Sequence, residues 1–136
     1  MLRVAIPFSD LASGERAVAA LVRDIATADA EVELVAMVDP LRPGKVAAFV
    51  SEAAARAQVT AAAQDWLSAL ETQLRSAGRR CRGNIALGPP TVTLRRLAER
   101  PDVARIWMAE PHAAPWRNWW RHFVLRAARP AITVVP

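Results

Sequence analysis

Short apolar segments alternate along the chain with segments whose apolar residues recur every three or four positions, and this alternation constrains the fold most strongly. Apolar runs of this length are typical of strands buried on both faces, whereas the longer spacing is typical of helices that bury one face. The five predicted strands cover residues 3–8, 32–38, 82–87, 104–109 and 131–135. Strands that alternate with helices require a parallel sheet covered on both faces, so we predict one doubly wound α/β domain over residues 1–136.

The first two predicted helices are delimited by capping residues and by glycine. Ser13 is the expected N-cap of helix one, which should end near residue 27. Helix two is predicted over residues 46–76, with a break at residues 58–62 as an alternative, because thirty residues is long for a globular helix. Gly78 is the expected stop, since glycine readily adopts the left-handed conformation that ends many helices.

The last two predicted helices flank the fourth strand. Helix three should begin at an N-cap on Thr91, bury Leu94 and Leu97, and end at Pro101. Helix four carries an apolar stripe at helical spacing and ends at Pro130. The aromatic members of that stripe are Trp116, Trp119, Trp120 and Phe123.

The tryptophan-rich stripe of helix four has three interpretations, because Arg117, Arg121 and His122 lie on the other side of the helix. Burial against the sheet is favoured, and Trp107 inside strand four is expected to be core as well. A docking site for a protein partner at residues 116–123 comes second, since indoles often dominate interfaces. Stacking on nucleic acid bases and insertion at a membrane surface are less favoured.

Composition excludes several classes of protein. With 53% hydrophobic and 23% charged residues the chain is globular, and its apolar runs are too short to span a membrane. One cysteine, Cys81, permits no intrachain disulfide, which fits a reducing cytoplasm. Three neighbouring arginines at positions 79, 80 and 82 could lower the pKa of Cys81, although an ordinary thiol is the favoured interpretation.

Charge is distributed unevenly, although the net charge is only +5. Residues 1–74 hold ten acidic and six basic residues, whereas residues 75–136 hold three acidic and twelve basic ones. A basic half can attract phosphate, nucleic acid or an acidic partner. A solvated arginine-rich surface is the favoured interpretation, because the basic residues form no long block.

No constellation of catalytic or metal-binding residues stands out. His112 and His122 are the two histidines, and they have no cysteine or paired acid nearby, so we predict no metal site. Ser9 and Asp10 follow strand one, where a catalytic group can stand, but no nucleophile-elbow motif surrounds them. The sequence therefore predicts a protein that is not an enzyme.

Five motifs together resemble the universal stress protein (UspA-like) family. They are VAIPFSD after the start, MVDP after strand two, GPP before helix three, IWMAEPH after strand four and VLRAARPAITVVP at the end. The resemblance implies a Rossmann-like, adenine nucleotide alpha hydrolase-like sheet in the order 3-2-1-4-5. It also implies a homodimer through Ala131–Val135, and a stress-response role in which some members bind ATP.

The nucleotide motif of that family is altered in this sequence. ATP-binding members have an aspartate at the end of strand one and a glycine-rich loop after strand four, whose N–H groups approach the phosphates. Here no glycine follows Gly88, and Pro111 and Pro115 remove further N–H donors. The resemblance therefore implies a candidate pocket with substituted residues, namely Ser9, Asp10, Val38, Asp39, Gly88, Met108, Ala109, Arg117 and Asn118.

The favoured function is a homodimeric, non-catalytic regulatory or binding module that does not bind ATP in the family's usual way and needs no cofactor. The first alternative is an ATP- or AMP-binding stress protein in which Arg117, Arg121 or His122 holds the phosphate by its side chain. Nucleic-acid binding through the basic half is a third and disfavoured class. The physiological signal and the partner are not specified by the sequence.

Overall fold

The computed structural model describes residues 2–39, 52–110 and 131–136, and in this part of the chain five strands form one sheet. Strands β1 to β5 span Arg3–Phe8, Glu31–Val38, Arg80–Leu87, Arg105–Ala109 and Ala131–Val135. Helices α1 to α3 span Leu11–Arg23, Glu52–Ser76 and Pro90–Glu99, and a 3-10 turn at Ile25–Thr27 follows α1. All pairings are parallel and the strand order is 3-2-1-4-5, which confirms the predicted fold.

The core has two layers, one on each face of the sheet, because successive strand residues point to opposite faces. On β2, Leu34 and Ala36 pack with α1 and α2, whereas Val35 and Met37 pack with α3. The expected burial of Leu94, Leu97 and Trp107 is confirmed. The Trp107 indole N–H donates to the carbonyl of Ala17 in α1 over 3.0 Å, so this side chain also ties β4 to the helical layer.

Helix α1 begins and ends differently from the expectation. Its N-cap is Asp10 and not Ser13, because the Asp10 carboxylate accepts hydrogen bonds from both the backbone N–H and the hydroxyl of Ser13, each over 2.8 Å. The helix ends at Arg23, and the 3-10 turn replaces its predicted last turn. Asp24 ends α1 and caps the 3-10 turn, with its side chain accepting from the N–H of Ala26.

The other two helices correct further details. Helix α2 is continuous through residues 58–62, so the alternative break there is wrong. Gly78 ends it as expected, with a left-handed φ of 75° and a hydrogen bond from the Arg79 N–H to the Leu74 carbonyl. Thr91 is not the cap of α3, whose N-cap is Pro89 with no side-chain hydrogen bond. Proline is favourable at the start of a helix, because its missing N–H would be unpaired there anyway.

Arg79 is a buried cation that binds the end of α1. Its Nη1 donates to the carbonyl and hydroxyl oxygens of Thr27, and its Nη2 donates to the carbonyls of Leu21, Val22 and Asp24 over 3.2–3.4 Å. The last carbonyls of a helix have no partner within the helix and carry partial negative charge. Arg79 therefore stabilises the junction of α1, the 3-10 turn and β3 without a carboxylate partner in the described residues.

Several predicted features lie outside the described residues. These are the start of helix two at residues 46–51 and the whole of helix four, with its tryptophans, arginines and both histidines. Within residues 2–39, 52–110 and 131–136, every helix is too short or too polar to cross a bilayer.

Candidate functional site

The predicted site residues lie mostly at one edge of the sheet, because parallel strands all end on the same side. This carboxyl edge is where open α/β sheets form their ligand crevices. The described candidates there are Ser9 and Asp10 after β1, Val38 and Asp39 at the end of β2, Gly88 after β3, and Met108 and Ala109 in β4. Arg117 and Asn118 lie outside the described residues.

A pocket of about 290 Å³, called here the carboxyl-edge pocket, opens among these strand ends. It brings together three of the predicted residues, Ser9, Val38 and Asp39. Its other lining residues are Met37, Val59, Ala62, Trp66 and Pro90. A lining with a few polar groups among apolar ones is typical of small-molecule sites.

Trp66 is a pocket residue outside the predicted set of candidate site residues. It lies in α2, is partly buried, and its ring centroid is 6.4 Å from that of Phe8 in β1. The two rings are tilted by 58°, a favourable arrangement for aromatic pairs. The indole therefore contributes both to the core and to the lining of the pocket.

Asp10 does not line the carboxyl-edge pocket. Its carboxylate caps α1, where it accepts from Ser13, and negative charge is favourable at a helix N-terminus. A ligand that used this carboxylate would compete with the cap. Aspartate at the end of strand one is therefore explained here by helix capping.

Gly88 and the end of β4 set backbone geometry instead of lining the pocket. Gly88 has a φ of 126°, a conformation that other residues rarely adopt, and its N–H donates to the Val38 carbonyl over 2.9 Å. Met108 and Ala109 are buried on opposite faces of the sheet. The next residue, Glu110, donates its N–H to the Val135 carbonyl over 2.9 Å and joins β4 to β5.

Pro7 interrupts hydrogen bonding between β1 and β4. These two strands form the switch point of the sheet, because the strand order changes direction between them. The Arg3 carbonyl accepts from the Ala104 N–H over 2.9 Å, and backbone polar groups alternate along a strand, so Pro7 also faces β4. Proline has no N–H to donate there. The paired residues of β1 and β4 end at Ala5 and Ile106, whereas pairing of β1 with β2 continues to the end of the strand. The switch point is thus less tightly closed than the rest of the sheet.

Comparison with known proteins gives a consistent answer at the level of fold. No family model and no curated protein matches the chain. A universal stress protein UspA from Lactobacillus plantarum is 18% identical, with 99% of this chain and 97% of that chain covered and a TM-score of 0.67. One from Archaeoglobus fulgidus is 12% identical, with 100% and 99% covered and a TM-score of 0.70. A universal stress protein solved in complex with cAMP is 16% identical, with 99% and 97% covered and a TM-score of 0.65.

The chain has the universal-stress-protein fold. The resemblance that the five sequence motifs indicated is thereby confirmed for the architecture. In the ATP-binding universal stress proteins that the sequence resembles, the phosphate-binding loop follows the fourth strand. The matching positions in this sequence are Ala109 and residues 111–118. Of these positions the structure describes Ala109, the last residue of β4, and no glycine occurs after Gly88 in the sequence.

Cys81 is a further described residue with potential reactivity, as a free thiol. Burial raises the pKa of the Cys81 thiol and outweighs the opposing effect of Arg75, so the less favoured alternative, that neighbouring arginines lower this pKa, is wrong. Arg79 in particular is directed into the α1 junction and not towards the thiol. Across the described ranges, no three His, Cys, Asp or Glu side chains are grouped to hold a metal ion.

Proposed function

We propose that the chain is a divergent universal stress protein, and that it acts as a non-catalytic regulatory or binding module in the stress response. The observation that carries this proposal is the role of Asp10, which lies just beyond strand one and whose carboxylate is occupied by the α1 cap. The glycine-free sequence after Gly88 supports it, since phosphate loops need close approach of backbone N–H groups. On this proposal the protein does not hold a triphosphate in the family's manner and needs no cofactor.

Calorimetry tests this function directly. The protein is first freed of nucleotide and its acid extract is checked by chromatography, since carried-over ligand would mask binding. ATP and AMP are then titrated at moderate salt, and no saturable heat is expected from ATP. Phosphate release in an overnight incubation with ATP and Mg²⁺ should equal the buffer blank. Tight ATP binding or turnover would contradict the proposal.

A second candidate function is nucleotide binding through substituted residues. The carboxyl-edge pocket favours it, because Ser9, Asp39 and the Trp66 indole offer polar contacts and a flat apolar surface. One structural relative was solved in complex with cAMP, so a protein with this fold can hold a nucleotide. If AMP binds, Ala62→Trp should abolish binding by filling the pocket, whereas Ala61→Trp on the neighbouring exposed position should not. Equal effects of both variants would contradict this site.

We further propose a homodimer through β5. This strand lies at the end of the strand order, and Ile132 and Val134 are partly buried and apolar. An apolar strand edge tends to pair or to be covered. The Val135 carbonyl faces β4, so alternation directs the backbone of Val134 outwards, and Val134→Pro should disrupt a dimer without breaking the β4 ladder. Light scattering that finds a monomer at micromolar concentration would contradict the dimer.

The remaining assignments are proposals of the same kind. A protein partner docking on residues 116–123 is supported by the tryptophans at 116, 119 and 120. A cytoplasmic location is supported by the single cysteine. Nucleic-acid binding stays disfavoured, and a steep decrease of affinity with salt would be its signature.

A further inference from the structure

A second polar cluster lies on the α3 face of the sheet and is centred on the buried carboxylate of Glu33 in β2. The side chain of Glu33 is only 3% exposed. Its Oε2 accepts from Arg100 over 2.7 Å, and its Oε1 accepts from the Asn84 amide over 2.8 Å and from Arg82 over 3.5 Å. A buried carboxylate requires such partners, because leaving it unpaired would be strongly unfavourable.

The cluster continues along the surface as a chain of ion pairs. Arg100 makes two hydrogen bonds to Asp102, over 3.0 and 2.7 Å, and Arg3 joins Asp102 to Glu31. The hydrogen bonds to Asp102 and Glu33 hold the pKa of the Arg100 guanidinium above its usual value. Every carboxylate of this cluster is therefore already bound to at least one guanidinium.

Beside Glu33 lies a pocket of about 240 Å³, called here the α3 pocket, which is bounded by β2, β3 and α3. Its apolar lining consists of Val35, Ala86 and Leu97, and its polar lining consists of Glu33, Asn84, Thr93, Arg96 and Arg100. The volume is below the range of about 300–1,000 Å³ that drug-sized ligands occupy, so an occupant must be small. None of these residues lines the carboxyl-edge pocket.

Arg96 supplies the unneutralised charge of the α3 pocket. Thr93 and Arg96 are three residues apart on α3, so they share one face of the helix, and Arg100 is the residue that caps its carboxyl end. Within residues 2–39, 52–110 and 131–136, the Arg96 guanidinium makes no ion pair or hydrogen bond, unlike that of Arg100. Counting the whole cluster with Arg96, four guanidinium groups face three carboxylates. The pocket thus combines apolar walls with one available cation.

We propose that the α3 pocket binds a small organic oxyanion, a carboxylate or phosphate monoester with a short apolar body, through the guanidinium of Arg96. Guanidinium groups bind both oxyanions by paired, charge-assisted hydrogen bonds. Val35, Ala86 and Leu97 contact the apolar body, and the Asn84 amide lies at the same opening. The buried Glu33 carboxylate holds Arg100 and Asn84 in place and excludes a second anion from its own position. This site is independent of the proposed function at the carboxyl edge.

The test uses the full chain and four probes in heteronuclear NMR titrations. Butyrate and n-butyl phosphate carry the anion and the body, butyramide carries the body alone, and inorganic phosphate carries the anion alone. We expect one or both of the first two to bind saturably and to shift the Asn84 side-chain amide. Butyramide should bind at least about tenfold more weakly, since it lacks the charged hydrogen bond to Arg96. Inorganic phosphate should also bind at least about tenfold more weakly, since it lacks the apolar body, whose burial is worth about 0.8 kcal/mol per methylene group.

Three variants distinguish the pocket from its surroundings. Arg96→Gln should weaken binding of the anionic probes by about tenfold or more, since it removes the charged donor. Arg95→Gln makes the same charge change on the neighbouring exposed residue, outside the pocket, and should leave binding unchanged. Ala86→Val reduces the volume without changing charge and should also weaken binding. Urea unfolding of each variant verifies that it is folded.

Four outcomes would overturn the proposal. They are no saturable binding of either anionic probe, butyrate binding that butyramide matches in affinity, butyl phosphate binding that inorganic phosphate matches in affinity, and equal losses in Arg95→Gln and Arg96→Gln. Since none of these involves ATP or AMP, failure here leaves the proposed function untouched, and failure of the proposed function leaves this site untouched.

Discussion

Replacing Arg79 with methionine is expected to be among the most destabilising single changes in the described part of the protein. The side chain is buried, yet it is bound only to backbone carbonyls and to the hydroxyl of Thr27. Methionine keeps an unbranched apolar side chain in place of the arginine stem, so the change removes mainly the guanidinium with its charge and its hydrogen bonds.

The size of the destabilisation depends on which carbonyl oxygens still have a hydrogen-bond donor once the Arg79 guanidinium is removed. The Leu21, Asp24 and Thr27 carbonyls each accept a further backbone N–H, from Asp24, Thr27 and Ala30 respectively. The Val22 carbonyl accepts a hydrogen bond from Arg79 and has no second donor among the described hydrogen bonds. One buried carbonyl without a partner costs about 1–3 kcal/mol. Loss of a cation at a helix C-terminus adds about 0.3–2 kcal/mol. The total is therefore about 1–5 kcal/mol, below the sum of five charged hydrogen bonds.

Urea unfolding measures this loss. With an m-value of about 2 kcal/mol/M, the midpoint should fall by about 0.5–2.5 M. Arg79→Lys keeps the charge but loses the planar fork, so its midpoint should lie between those of the methionine variant and the parent. Arg80→Met, at the exposed neighbouring position, is the control and should change stability by less than about 0.5 kcal/mol. A midpoint of Arg79→Met equal to that of the control would refute the reasoning.

Three further changes are informative. Glu33→Gln should destabilise the protein by about 1–3 kcal/mol in urea unfolding, because Arg100 loses a buried ionic partner but keeps Asp102. The hydrogen bonds from Arg100, and to a lesser degree from Arg3, hold the pKa of the Asp102 carboxyl below its usual range. The ion pairs of Asp102 therefore stabilise the fold at pH values above the usual carboxyl pKa, and this stabilisation is lost as the solution becomes more acidic. Asp102→Asn should therefore flatten the fall in stability below about pH 4, and an unchanged acid profile would count against this pairing. Gly88→Ala should cost about 1–3 kcal/mol, since its φ of 126° strains any side chain, and a neutral effect would contradict that geometry.

The order of elements could be predicted from the sequence because each strand and helix has a clear periodicity. Continuous apolar runs marked β1, β2 and β4, and the three-to-four spacing marked the helices. Caps were less predictable, because several capping residues lie close together. Asp10 and Ser13 are both good N-caps, and the choice between them depends on where β1 releases the chain.

The sites were predictable only in part, because their residues serve the core as well. Trp66 has the spacing of a core residue, and only the position of α2 beside β2 places it at a pocket. Glu33 interrupts an apolar strand, which is a signal of a buried polar group, but its partners Asn84 and Arg100 are more than fifty and sixty positions away. Such pairings depend on strand register, which local sequence does not specify.

Pro7 bears both on the prediction of the first strand and on the geometry of the candidate site. The apolar run of residues 3–8 predicts a strand despite the proline, and the strand forms. A proline in a central strand removes a ladder hydrogen bond, and here the loss falls on the β4 side at the switch point. Its consequence for the candidate site follows only from the strand order, which places β1 between β2 and β4.

The most direct test of the account is the ratio of the affinities for ATP and AMP, measured by calorimetry on nucleotide-free protein in one buffer with Mg²⁺. A site that holds the β- and γ-phosphates through charged hydrogen bonds should favour ATP by about a hundredfold or more, since each such bond is worth about tenfold. The account predicts no saturable ATP binding, so that any nucleotide affinity measured is for AMP. A hundredfold preference for ATP would contradict it and would require a phosphate site built without glycine.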